Sequence, residues 1–229
     1  MKMEAWRRLE ETGIHEAGHL VYGAFALGWG FSHLSAAPEL HPELGPILGL
    51  AVPRQPTAAW PAFEARCRVD RESARRNTEF ALAGPAAAAR WQGEFAVRYS
   101  SGDWEIAERA LRAGFGDGWA TEFFGAWTRV RAWFDVPERW AATLAVAYRL
   151  LLDPTLRLDG AAAEQLARFT VDEHRRRAAS LTPQPAARDL VGALAGIAAR
   201  PRRRRRDILD ALLELGRWER SLRPAAGQR

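Results

Sequence analysis

The segment His15-Glu16-Ala17-Gly18-His19 places two histidines four residues apart, with a glutamate directly after the first. Four residues advance an α-helix by slightly more than one turn, so His15 and His19 share a face and can both direct a ring nitrogen to one metal ion. Glu16 flanks that face, where its carboxylate can take a proton from a metal-bound water and pass it to a leaving amine. The spacing is typical of zinc hydrolases. Apolar residues recur at helical spacing around the segment and predict a buried helix over residues 3–28.

Length and composition limit the class of protein. The chain has 229 residues, 48% of them hydrophobic, which is enough to form one large domain or one and a half. Its longest apolar stretch, residues 20–31, is too short to span a membrane, and no signal-peptide pattern precedes it, so we expect a cytoplasmic protein without a membrane span. Cys67 is the only cysteine, which excludes an internal disulfide and a multi-cysteine zinc site. We expect it to be a small core residue.

The charged residues add one exclusion and one candidate partner. Lys2 is the only lysine and follows no glycine-rich turn, so the sequence contains no P-loop ATPase. The net charge is +5, and the densest basic run is Arg200-Pro201-Arg202-Arg203-Arg204-Arg205-Arg206. Such a run can bind a polyanion (nucleic acid, anionic lipid or an acidic partner), and the alternative is a solvated helix start. Apolar residues at helical spacing follow and predict an amphipathic helix over residues 203–220.

Periodicity and breakers predict the fold class mainly α (α+β), a helical bundle with a small β element beside the histidine segment. Residues 31–36 and 47–52 have strand-like content and predict a two-stranded element, and residues 53–61 form a linker. A helix is predicted over residues 62–90, with a break or kink near Ala83 because Pro85 has no N–H. Further helices are predicted over residues 104–112, 120–134, 137–152, 161–178, 187–199 and 203–220.

A catalytic zinc site needs a third protein ligand, and two carboxylates compete for that place. Glu79, on the predicted second long helix, would give the His-His-Glu set that gluzincin enzymes use. Asp103, at a predicted helix start, would give a His-His-Asp set. Each also has a structural interpretation, Glu79 as an exposed helical carboxylate and Asp103 as an N-cap. The residue types and spacing leave this choice open.

Three blocks of the chain resemble the zinc peptidase domain of the FtsH-type proteases. They are His15-Glu16-Ala17-Gly18-His19, Ala81-Leu82-Ala83-Gly84-Pro85-Ala86-Ala87-Ala88-Ala89 and Ser100-Ser101-Gly102-Asp103-Trp104-Glu105-Ile106-Ala107. In that family the second block is a helix of small residues that packs against the motif helix, and the third carries the aspartate that completes the zinc site. The resemblance therefore implies His15, His19 and Asp103 as zinc ligands and Glu16 as the base. A weaker similarity continues to residues 158–160.

The chain also departs from that family. It contains no AAA ATPase module and no membrane anchor, and Pro85 and alanines replace the arginine and paired acidic residues usual in the second block. We predict a zinc metallopeptidase-like domain over residues 1–170 and a C-terminal helical extension with the basic run over residues 171–229. The small residues of the second block should let another helix approach closely.

We therefore expect a stand-alone, ATP-independent zinc metallopeptidase that cuts a protein or peptide substrate through a zinc-activated water. The strand near Ile47 to Val52 would align an extended peptide by edge addition. The alternative is a regulatory or binding module with a structural zinc site and a basic partner-binding tail, and a third function combines both in a protease that cuts a nucleic-acid-bound regulator. A fourth protein ligand, His33 or His41, would favour the structural module, whereas an open fourth position favours the enzyme. His174 should lie on a helix surface.

Overall fold

The structure, a computed structural model, describes residues 2–41, 45–54, 60–93 and 101–180. It is mainly helical with a small antiparallel sheet, which confirms the predicted fold class. The helices are α1 (Lys2–Tyr22), α2 (Trp60–Val69), α3 (Arg71–Gln92), α4 (Ser101–Phe115), α5 (Trp119–Phe134), α6 (Pro137–Leu152) and α7 (Gly160–Ser180). The strands are β1 (Phe31–Ser35), β2 (Glu39–His41), β3 (Gly45–Ile47), β4 (Leu50–Pro53) and β5 (Arg157–Asp159). The helices predicted over residues 187–199 and 203–220, and the basic run, lie outside the described residues.

Helix α1 carries the His15-to-His19 segment through the centre of the molecule. Its apolar residues Ile14, Leu20 and Val21 are fully buried. The helix continues as a π-helical turn over Gly23–Leu27 and closes at Gly28, whose φ of 69° places it in the left-handed region and whose N–H donates to the carbonyl of Gly23. Glycine adopts this conformation without a Cβ clash. The predicted stop near Gly28 is therefore confirmed.

The sheet lies beside α1 and has the strand order β4-β1-β5. Strand β1 pairs antiparallel with both neighbours, and Leu34 lies opposite Ala51 on β4 and Leu158 on β5. The predicted pairing of residues 31–36 with residues 47–52 is correct in outline, although the second segment divides into β3 and β4, and β3 pairs with β2. The third strand, β5, was not predicted. It has three residues, too few to show an alternating pattern, and it forms through pairing with a distant segment.

The single helix predicted over residues 62–90 is wrong, because two helices, α2 and α3, meet at Asp70. The Asp70 side chain accepts a hydrogen bond from the backbone N–H of Glu72 and caps the start of α3. The helix does not break near Ala83, since α3 continues through Pro85, and the alternative of a kink stays a prediction. A proline inside a helix costs about 3 kcal/mol. Residues 81–88 are all buried, and this packing outweighs the local cost.

The remaining helices follow the predictions more closely. Helices α5, α6 and α7 begin and end within about two residues of their predicted bounds, whereas α4 begins at Ser101 and so includes Asp103 in its first turn. Cys67 is fully buried, as predicted, and packs with Ala74 and Ala110. No helix in the described segments is both long and apolar enough to cross a membrane. The division at residue 170 stays a prediction, and α7 runs across that position.

Candidate metal centre

The backbones of helices α1 and α3 approach each other closely beside the histidines. A Cβ at Gly18 would lie 2.6 Å from the Cβ of Ala87 and 2.9 Å from the carbonyl oxygen of Ala83, distances that only a glycine permits. The prediction that the second block allows close helix approach is confirmed. On α3, a Cβ at Gly84 would collide with His19 Nε2 and would lie 2.6 Å from His15 Nε2. The absence of a side chain at Gly84 therefore keeps the space around these two nitrogens open.

Helix α4 brings Asp103 to the same place. Its Oδ2 atom lies 2.8 Å from His15 Nε2, and its Oδ1 atom lies 3.3 Å from His19 Nε2. The two Nε2 atoms are 3.1 Å apart. The side chains of His15, His19 and Asp103 are 12%, 6% and 18% exposed, so the group is largely shielded from bulk water. The carboxylate of Asp103 thus contacts both imidazoles of the H-E-x-x-H segment.

The backbone of α3 orients the His19 ring. His19 Nδ1 lies 2.8 Å from the carbonyl oxygen of Phe80. A carbonyl oxygen can only accept, so Nδ1 carries the proton and donates it. In neutral His19 this leaves the lone pair on Nε2, which is the atom that faces Asp103 and His15. The ring of Phe80 also packs against the His19 ring, with centroids 5.0 Å apart.

The Asp103 carboxylate and the His19 imidazole stabilise each other's charged form. Burial alone would lower the pKa of His19, but the Asp103 carboxylate, by its charge and its hydrogen bond, raises that pKa to about 9. Burial alone would raise the pKa of Asp103, but the two imidazoles hold it well below its usual range. The carboxylate therefore stays ionised, as a metal ligand must be.

The Glu16 side chain lies between its own helix, α1, and strand β4. Its side chain is buried, with 6% of its surface exposed, and burial raises the pKa of its carboxyl group above the usual value. The backbone N–H of Ala51 donates a hydrogen bond to the carboxylate. A Cβ at Gly49 would lie 2.6 Å from Thr12 Cγ2 and 2.8 Å from Glu16 Oε1, so the chain that enters β4 passes directly over this side chain. The small β element therefore lies beside the centre, as predicted.

The three side chains fit a metal ion by their chemistry and their spacing. The ligand atoms of His15, His19 and Asp103 lie within 4.8 Å of one another, close enough to bind one ion. Two imidazole nitrogens and one carboxylate form a donor set that suits a divalent transition metal, zinc among them. The open space at Gly84 lies against the same nitrogens. In the part of the chain that the structure describes, no fourth histidine, cysteine, aspartate or glutamate joins this group.

The competing carboxylate, Glu79, lies elsewhere. Its Oε2 atom accepts a hydrogen bond from the Tyr22 hydroxyl at 3.0 Å, and its Oε1 atom accepts one from Arg129 Nε at 2.8 Å. Glu79 is therefore neither grouped with the histidines nor a solvated helical carboxylate, since it links three helices. The structure thus separates the two carboxylates that the sequence left as alternatives.

His33 and His174 are not part of the group. His33 lies on β1, where its Nδ1 atom is 3.1 Å from Ser32 Oγ. His174 is exposed on α7, as predicted. His41 ends β2, and its side chain lies outside the described part of the structure.

Sequence analysis did not find the backbone groups of this centre. The Phe80 carbonyl and the Ala51 N–H belong to residues whose types carry no signal for their roles. Gly49, which stands between two leucines next to a strand, is the exception, because an isolated glycine beside a strand suggests a bulge or a close approach.

The comparisons with known proteins add no relative. The sequence matches no protein-family model and no curated protein. The resemblance to the FtsH-type peptidases therefore stays a prediction from the three sequence blocks, of which the first and third hold the grouped side chains His15, His19 and Asp103.

Proposed function

We propose that this chain is a zinc metallopeptidase that hydrolyses peptide bonds. One observation carries the proposal: the ligand atoms of His15, His19 and Asp103 lie together, and the buried carboxylate of Glu16 follows His15 on the same helix. Two histidines with a third protein ligand match the ligand number of catalytic zinc sites, and the flanking glutamate matches the general base of the H-E-x-x-H arrangement.

The residues of the chain would divide the work between binding and proton transfer. His15 and His19 through Nε2, and Asp103 through its carboxylate, would hold the zinc ion. When bound, zinc supplies a Lewis acid that polarises the scissile carbonyl and lowers the pKa of water. The Glu16 carboxylate accepts the proton of the attacking water and delivers it to the leaving amine nitrogen. Its raised pKa favours this exchange, because a base with a higher pKa holds the proton more readily.

Strand β4 supports a peptide substrate in particular. It pairs with β1 along one edge only in the described sheet, and the backbone N–H of Ala51 points from β4 to Glu16. An extended peptide that adds to this edge would bring its own backbone past the Glu16 carboxylate. We therefore retain the edge of β4 as the element that aligns the substrate.

The alternative function, a binding module with a structural zinc site, has less support. It requires a fourth protein ligand, and among the described residues none joins the three. The basic partner-binding run of that alternative lies outside the described residues and stays a prediction, as does the resemblance to the FtsH-type family.

A direct test measures cleavage of an unfolded protein such as casein by the purified chain, with one equivalent of zinc and after removal of metal by a chelator. We expect cleavage with zinc, its loss on chelation and its return when zinc is restored. A chain that binds zinc tightly and cuts neither casein nor a library of short peptides would contradict the peptidase function.

A further inference from the structure

Two hydrogen bonds link α1 to neighbouring residues of α3. His19 donates through Nδ1 to the carbonyl of Phe80 at 2.8 Å, and Tyr22 donates through its hydroxyl to Glu79 at 3.0 Å. His19 and Tyr22 are three residues apart and so lie on the same face of α1. Glu79 and Phe80 are adjacent in the chain. The hydrogen bond from Tyr22 to Glu79 therefore holds the residue next to Phe80, whose carbonyl orients the proposed ligand His19.

A third helix holds the same carboxylate. Arg129 of α5 donates through Nε to Glu79 Oε1 at 2.8 Å, while Tyr22 uses Oε2. The Glu79 side chain is 16% exposed and that of Arg129 is 51% exposed, so this charge-assisted hydrogen bond lies at the protein surface with only its carboxylate end shielded. Both carboxylate oxygens are thus engaged, each by a different helix, which restricts how the middle of α3, around Phe80, can slide or rotate against α1.

Tyr22 is itself held in place. It is 4% exposed, its ring packs edge-on against Trp133 with centroids 5.0 Å apart, and the Phe134 ring is tilted against it at 6.2 Å. Burial and the neighbouring Glu79 charge raise the pKa of its hydroxyl, so it remains a donor. A buried hydroxyl that faces a carboxylate leaves an unsatisfied acceptor when it is removed.

We infer that Tyr22, Glu79 and Arg129 form a positioning clamp, which sets the Phe80 carbonyl against His19 Nδ1 and thereby sets the affinity of the centre for zinc. The three residues of the clamp are positioning residues and touch neither metal nor substrate. Groups that orient a metal-bound histidine typically contribute 10–100-fold in metal affinity. The clamp acts indirectly, by holding one such group, the Phe80 carbonyl. The inference rests on the proposed metal site but not on peptidase activity.

The chain offers two matched controls. Tyr148 of α6 also donates to a carboxylate on α1, Glu10, at 3.0 Å, so Tyr148→Phe removes the same kind of bond from the same helix. Arg75 of α3 binds Glu122 of α5 at 3.2 Å through two nitrogens, so Glu122→Gln breaks another link between the helices that Arg129 and Glu79 join. Neither control adjoins Phe80.

The experiment measures zinc dissociation constants by competition with a chromophoric chelator for the full chain and for Tyr22→Phe, Glu79→Gln, Tyr148→Phe and Glu122→Gln. Urea unfolding of each metal-free protein supplies the stability comparison. We expect Tyr22→Phe and Glu79→Gln to raise the dissociation constant about tenfold, at the lower end of the range for groups that orient ligands. We expect both controls to retain the wild-type value, whatever stability they lose.

A spectroscopic signature separates positioning from a general loss of stability. In the zinc-loaded protein, the His19 Nδ1 proton should exchange with water faster in Tyr22→Phe than in Tyr148→Phe, because its acceptor is less firmly held. The visible absorption of the cobalt-substituted protein should shift in the first variant only. Should Tyr22→Phe fail to fold, Arg129→Gln, whose side chain is 51% exposed, carries the same expectation.

Equal zinc affinity in the clamp variants and the wild type would overturn the inference, as would equal losses in clamp and control variants of matched stability. Either result would leave the metal site and the proposed peptidase intact. A wild-type chain that binds no zinc would overturn the inference together with the proposed function, so the two failures are distinguishable.

Discussion

Gly49 and Glu16 are in backbone-to-side-chain contact: a Cβ on Gly49 would lie 2.8 Å from Glu16 Oε1. The N–H of Ala51 adds a hydrogen bond to the same carboxylate. Glu16 is therefore confined between the helix that carries it and the strand that we propose to align a peptide. A base held in this way does not have to be ordered when substrate binds, which is the advantage of a preorganised site.

The first prediction concerns this base. Glu16→Gln preserves the size of the side chain and an oxygen that accepts from Ala51, so we expect a folded protein with the zinc content of the wild type. Removal of a general base typically lowers the rate by about 10²–10⁴-fold, and we expect the casein-cleavage rate constant to fall by that factor. Zinc content and far-ultraviolet circular dichroism are the controls. A folded, zinc-loaded variant with wild-type turnover would refute the role of Glu16.

The second prediction separates the two carboxylates. Asp103 contacts both histidines, whereas Glu79 binds Tyr22 and Arg129. Asp103→Ala should weaken zinc binding by more than about 100-fold, beyond the range for groups that only orient ligands. Glu79→Ala should still bind one zinc per chain when zinc is saturating, because its ligand set is unchanged. Equilibrium dialysis with metal analysis measures both, and the reverse result would make the site gluzincin-like.

The third prediction concerns Gly84. Alanine there would improve helix propensity by about 1 kcal/mol, yet its Cβ would collide with Nε2 of His19 and crowd Nε2 of His15. We expect Gly84→Ala to remain helical and to bind zinc at least about tenfold more weakly. Gly102→Ala is the matched control, since a Cβ at Gly102, next to Asp103, meets nothing within 4 Å. Unchanged zinc affinity in Gly84→Ala would show that α3 does not limit the metal space.

The fourth prediction tests the basic run, which lies outside the described residues. If Arg202 to Arg206 each neutralise about one phosphate, their replacement by glutamine should reduce the slope of log affinity against log salt concentration by about 4.5 for duplex DNA. Fluorescence anisotropy at several salt concentrations measures the slope. Casein cleavage should be unchanged, which serves as the control for folding. A wild-type chain that binds neither DNA nor anionic vesicles at low salt would mean that the run is only a solvated helix start.

Local rules were sufficient for the parts of this protein that depend on residues close together in the chain. The i, i+4 spacing of His15 and His19 already predicts a shared helix face, and the glycine at residue 28 already predicts where the helix stops. Small residues at positions 81–89 predict a close helix contact for a related reason, because side-chain volume limits how near two backbones can approach. Helical periodicity also predicts the mainly helical class.

Long-range packing decided the rest. Asp103 and Glu79 are both carboxylates on helices, and only the packing of α4 and α5 against α3 places the first against the histidines and the second against Tyr22 and Arg129. Packing also keeps α3 helical through Pro85 and pairs β5 with β1. These outcomes depend on the free energy of burying surfaces that are distant in sequence. A pattern read along the chain reports the local preference of each segment, whereas the energy that overrides this preference comes from the partner that packs against it.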